Sequence, residues 1–139
     1  MADDAPIDWE ALARAAEVAR GRAYAPYSAF AVGASALFED GTVTRGANVE
    51  NASYGLSVCA ERHAVAAGVL GGHGRLRALL VLAEGPRPVP PCGACRQVLA
   101  EFADAGLPIQ SRTVVGTQST STLGALLPEA FGPDWLPRR

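Results

Sequence analysis

The chain has 139 residues, a formal net charge of −2 and 49% hydrophobic residues. That is enough for one domain, residues 1–139, with a core that needs no disulfide staples. It lacks the basic excess of a nucleic-acid-binding surface and any run near the roughly 18 apolar residues of a membrane span.

Apolar residues at Trp9, Leu12, Ala13, Ala16, Ala19 and Ala23 have helical spacing, with Asp8 as N-cap and Pro26 ending the segment. Phe30 to Phe38 is an apolar run rich in small residues, and Thr42 to Val49 reads as the returning strand. Glu39-Asp40-Gly41 between them carries the Asp-Gly hairpin signal. Asn51 to Ser57 is a polar loop. A second helix is expected from Cys59 to Leu70, stopped by Gly71-Gly72, and Leu76 to Ala83 is a buried strand. Gly85 to Pro91 has too many prolines for a helix or a central strand. A third helix is expected from Cys92 to Ala103, then strands at Leu107–Gln110 and Thr113–Gly116, and a helical turn at Thr122–Leu127. The tail, Pro128 to Arg139, is expected to be irregular. The order α, β-hairpin, α, β, α, β, β suggests an α/β fold whose mixed sheet is covered on both faces.

The only three cysteines are Cys59 in Cys59-Ala60-Glu61 and Cys92 and Cys95 in Pro91-Cys92-Gly93-Ala94-Cys95. An odd count, a Cys-x-x-Cys and an acidic start without an apolar run argue against a disulfide framework and a signal peptide, so the expected compartment is cytoplasmic, with reduced thiols. Both clusters fall at expected helix N-termini, where free N–H groups favour thiolates, the form that binds metal. Three protein ligands leave one tetrahedral position of a zinc ion open, as in a catalytic site. Zinc makes water a nucleophile near neutral pH, and Glu61, which is not a ligand, can carry its protons. Three thiolates leave the zinc centre with one net negative charge; Arg62 is the expected compensating donor to them, with Gln97 helping.

Other readings use the same residues. The cysteines could be ordinary buried apolar groups. His63, four residues after Cys59, could close the metal site as a fourth ligand and make it structural, leaving Glu61 without a role. His73, in a Gly-rich turn, is expected to be solvated.

The segment Gly46-Ala-Asn-Val-Glu-Asn-Ala-Ser-Tyr-Gly-Leu-Ser-Val-Cys-Ala-Glu-Arg62 resembles the core of the small, homotetrameric, zinc-dependent cytidine deaminases. So do Pro91-Cys-Gly-Ala-Cys-Arg-Gln-Val-Leu99, the opening Ala23 to Gly33 and the closing Leu126 to Phe131. The resemblance covers nearly the whole chain. It implies a three-layer α/β/α sandwich with a five-stranded mixed sheet, one zinc per chain, and hydrolysis of cytidine and deoxycytidine to the uridines in pyrimidine salvage. It further implies that Asn48 and Glu50 grip the ribose hydroxyls, that Ala60 and Glu61 face the pyrimidine, and that Phe30 lines the pocket. Phe131 and Tyr54 would reach a neighbouring subunit's site. Many members carry Cys where Ala47 stands, and the segment from Gln110 to Thr122 is unusually polar. Three alternatives remain: a deaminase of another aminated heterocycle such as a nucleoside antibiotic, a nucleic-acid-editing deaminase, and a non-catalytic zinc-binding domain.

Overall fold

Asp8 caps the first helix, its carboxylate accepting the Ala11 N–H at 3.0 Å. In the computed structural model, which describes residues 5–137, this helix, α1, runs Trp9–Arg20. It stops three residues short of the expected end because the backbone turns at Gly21, with Arg22 and Ala23 bonding back to Ala19 and Arg20. The acidic residues 1–4 and Arg138 and Arg139, expected to belong to the irregular tail, lie outside the described residues.

Strands β1 (Val32–Phe38) and β2 (Val43–Ala47) form the expected hairpin, with Gly41 taking φ +89° at the turn. A 3₁₀ turn at Tyr54–Leu56 precedes α2 (Ala60–Leu70). Then follow β3 (Leu76–Ala83), α3 (Gly93–Phe102), β4 (Pro108–Thr113), β5 (Gln118–Thr122) and the short α4 (Leu123–Leu126). A last 3₁₀ turn covers Pro133–Trp135.

The five strands form one sheet in the order β2-β1-β3-β4-β5. β3 and β4 are parallel and the other pairs antiparallel, so the sheet is mixed. The alternation of side chains along β3 divides the core in two. Ala78, Leu80 and Leu82 face α1 and pack with Leu12, Ala16 and Leu37. Leu79 and Val81 face the other way and pack with Phe38, Val65, Leu99, Ile109 and Leu123, from β1, α2, α3, β4 and α4. The result is three layers. Each fully buried Leu, Ile or Phe stabilises this arrangement by about 1.5–3 kcal/mol.

Gly46 in β2 has one structural consequence for the site. A Cβ there would lie 2.3 Å from the Ala60 carbonyl oxygen and 2.4 Å from the Ala64 nitrogen. Only glycine lets the first turn of α2 lie this close to the sheet.

The structure corrects the end of the chain. One strand fills Pro108–Thr113, where two were expected, and Val114 and Val115 sit in the following turn, with Gly116 at φ +102°. The partner strand starts later, at Gln118. His73 is not simply solvated: its Nδ1 lies 2.8 Å from Asp40 Oδ2 and 3.2 Å from Thr42 Oγ1, tying the hairpin turn to the end of α2.

Candidate metal centre and active-site cavity

Cys59 and Cys92 are the N-cap residues of α2 and α3, in extended backbone conformation, and neither side chain caps its helix. Cys95 follows on the first turn of α3 and is buried. The two helix starts lie side by side and bring the sulfurs together. Cys92 Sγ lies 3.6 Å from Cys59 Sγ and 3.4 Å from Cys95 Sγ, and all three lie within 4.8 Å of one another. Tetrahedral zinc with Zn–S near 2.3 Å needs sulfurs about 3.8 Å apart, so the donor set fits the ion in chemistry and in spacing.

The thiols are unequal. Cys59 is pulled down to about 5, chiefly by the hydrogen bond it accepts from Cys95, with Cys92 and Arg62 adding to it. Cys95 is pushed up by the same hydrogen bond, by burial and by the Glu61 charge. Between these two thiols the proton stays on Cys95. Arg62 Nη2 reaches the Ser57 carbonyl at 3.3 Å and Cys59 Sγ at 4.0 Å. Its Nε is buried without a hydrogen-bond partner among the described residues. Gln97, expected to help at the thiolates, turns elsewhere: its Nε2 donates to the Phe131 carbonyl at 2.8 Å. His63 donates from Nδ1 to the Ala47 carbonyl at 2.8 Å and stands outside the sulfur cluster. This geometry disfavours a closed Cys₃His site.

Glu61 is 5% exposed. Burial, reinforced by the Cys59 charge, raises its carboxyl to about 7. It lines a cavity of about 200 Å³ together with Phe30, Val32, Asn48, Cys59, Ala60, Val81, Val89, Pro90 and Cys92. Four of the residues singled out in the sequence, besides Cys59 and Cys92, therefore meet in one place, although they come from three segments. Val81 and the Val89-Pro90 pair complete the wall. The sequence signalled them only as a buried strand and a proline-rich connector.

Glu50 and Tyr54 line a neighbouring hollow of about 300 Å³ with Tyr27, Ser28 and Ser57. Asn48 and Glu50 are two residues apart in extended chain, so both can face the same side. Tyr54 is 76% exposed and meets Tyr27 edge-on, with ring centroids 6.0 Å apart. Phe131 lines neither space. Its ring is 57% exposed, while its carbonyl is held by Gln97.

Residues 7–110 match the family model described as the cytidine and deoxycytidylate deaminase zinc-binding region. The chain belongs to that family. Cytidine deaminase from Halalkalibacterium halodurans is 48% identical over 125 residues, 90% of this chain and 95% of the relative. The Mycobacterium tuberculosis cytidine deaminase is 47% identical over 136 residues, 95% of this chain and 96% of the relative. Among solved structures, cytidine deaminase from Burkholderia pseudomallei superposes with a TM-score of 0.86 at 44% identity, covering 90% of this chain and all of that one. With the family and the sulfur cluster both in hand, the cofactor is one zinc ion per chain. Among the described residues no helix is long and apolar enough to cross a membrane.

Proposed function

We propose that the chain hydrolyses the exocyclic amine of cytidine and deoxycytidine, giving uridine or deoxyuridine and ammonia. One observation carries this reading. Three sulfurs suited to zinc lie within 4.8 Å of one another, and two of them, Cys59 and Cys92, line a cavity with a buried carboxylate, Glu61, that is not one of the metal's donors. Zinc, when bound, acidifies a water to near neutrality and so supplies the nucleophile for C4.

The protein's own groups do the rest. Glu61, buried on the wall of the cavity beside Cys59 and Cys92, is placed for both halves of the proton traffic. It takes a proton from the attacking water and hands protons to the ring nitrogen and the departing amine. The water's oxygen ends on C4, and the C4–N bond breaks. Ala60 and Phe30 border the ring, and Arg62 offsets the thiolate charge. Asn48 and Glu50 hold the sugar hydroxyls, which favours a nucleoside over other aminated heterocycles.

The reading extends to a homotetramer with shared sites, each chain 1–139 acting as one deaminase domain. Two features support it. Phe131 and Tyr54 are exposed aromatic side chains with little to cover them within the chain. An apolar groove of about 430 Å³ also runs between α2 and α3, lined by Val65, Ala66, Val69, Leu70, Val98 and Phe102. Thiolate ligands suit a reducing compartment, which makes the cytoplasm the expected location. The test is ultraviolet monitoring of purified zinc-loaded protein with cytidine. Conversion to uridine is expected. No conversion at any protein concentration, with zinc present, would refute the reading.

A further inference from the structure

Ser28 forms no part of the metal centre, yet it stands directly behind the carboxylate assigned to the sugar. Its hydroxyl donates to Glu50 Oε2 and accepts the Phe30 N–H at 3.0 Å. The direction of this chain is fixed by chemistry, because an amide N–H only donates and a carboxylate only accepts. Glu50 Oε1 meanwhile accepts the Tyr27 N–H at 3.0 Å and the Ser28 N–H at 3.1 Å. A carboxylate has about four lone-pair sites. Three are filled, and the one left lies on Oε2, in a residue that lines the hollow.

The same short loop orients the other sugar-facing residue. Asn48 Nδ2 donates to the Phe30 carbonyl at 2.8 Å, and Asn48 Oδ1 accepts the Val32 N–H at 2.9 Å. Phe30 is thus held at its N–H by Ser28 and at its carbonyl by Asn48. Between Ser28 and Phe30, Ala29 sits at φ +56°, a left-handed conformation that a non-glycine residue adopts only where its surroundings enforce it. The Glu50 carboxyl is held below its ordinary range, with the Ser28 hydroxyl as the largest cause.

We propose that Ser28 is a positioning residue: its one hydroxyl aims the free lone pair of Glu50 at a sugar hydroxyl and sets Phe30 against the base of the same nucleoside. This rests on the deaminase reading of Glu50. The chemistry recognised is a sugar hydroxyl donating to a fixed carboxylate oxygen.

The test compares kcat/KM for cytidine and for 2′,3′-dideoxycytidine in zinc-loaded wild type, Ser28→Ala, Ser28→Thr and Glu50→Gln. Ser28→Ala should lower the cytidine preference about tenfold, as expected for one hydrogen bond to a charged group. The loss should fall mainly on the KM for cytidine, with zinc content unchanged. Ser28→Thr, which keeps the hydroxyl, should restore the preference. If Ser28→Ala fails to fold, Ser28→Cys, similar in shape but a weaker donor, carries the same comparison. A Ser28→Ala enzyme that loses activity equally on both substrates, or on neither, while Glu50→Gln loses the preference, overturns the role of Ser28 and leaves Glu50 in place. If Glu50→Gln also keeps the full preference, the sugar assignment of Glu50 is wrong, and the proposal falls with it.

Discussion

Gly46→Ala tests whether the sheet sets the position of the metal centre. The added Cβ would meet the Ala60 carbonyl at 2.3 Å, the Ala64 nitrogen at 2.4 Å and the His63 Cβ at 2.9 Å. Two of these are backbone atoms and cannot rotate away. To open the tightest contact to 3.0 Å, β2 and the start of α2 must part by about 0.7 Å. That turn of α2 carries Cys59 at its cap and Glu61. Overpacking of this kind costs about 1–3 kcal/mol. In a chain of this length that lowers Tm by about 3–15 °C. A misplacement approaching 1 Å at a catalytic group costs on the order of 100-fold in rate. Calorimetry and kcat/KM for cytidine on the zinc-loaded variant read both effects. Gly106→Ala is the control, since a Cβ there meets nothing within 4 Å. A Gly46→Ala protein with wild-type Tm and activity would refute the idea that this contact places the site.

Cys92→Ala should lose zinc, measured by mass spectrometry of the native protein, and lose stability with it, because metal-binding energy is also folding energy. Full zinc retention would contradict the ligand set. Phe131→Ala should raise the apparent KM for cytidine about 10–100-fold while keeping zinc, since stacking on a base is worth roughly 1–3 kcal/mol. Co-refolding that variant with Glu61→Gln should produce more activity than either parent if sites are shared; confirmed mixed tetramers without recovery would refute sharing. Asp40 is held below its ordinary 3.8, first by the Thr42 N–H and then by His73. Ionised Asp40 therefore favours the fold above the unfolded value, and this contribution disappears as pH falls through the lower folded value. Asp40→Asn should accordingly flatten the fall of Tm between about pH 5 and 3 relative to wild type; parallel curves would contradict it.

The cysteine spacing made the metal centre legible in the sequence, because ligand chemistry and helix starts coincide there. The β1–β2 hairpin was legible from Asp40-Gly41, and β3 from its apolar run. β5 was not. Gln118–Thr122 holds no apolar residue, so hydrophobic periodicity cannot register it, and its ladder to β4 defines it instead. Val114 and Val115 look like strand residues, but they occupy an exposed turn. His73 and Asp40 are 33 positions apart, a distance over which no local pattern operates. Ser28 carried no local signal either, since its partner Glu50 lies 22 positions away.

The most direct measurement is the pairing of zinc content with cytidine turnover in Glu61→Gln. The side chain keeps its shape and stands outside the sulfur cluster, so the variant should bind about one zinc per chain, as a site with three cysteine ligands does. It cannot carry protons, so turnover should fall by at least 10²–10⁴-fold. A zinc-loaded Glu61→Gln enzyme that still deaminates cytidine at the wild-type rate, or one that loses its metal, would contradict the account.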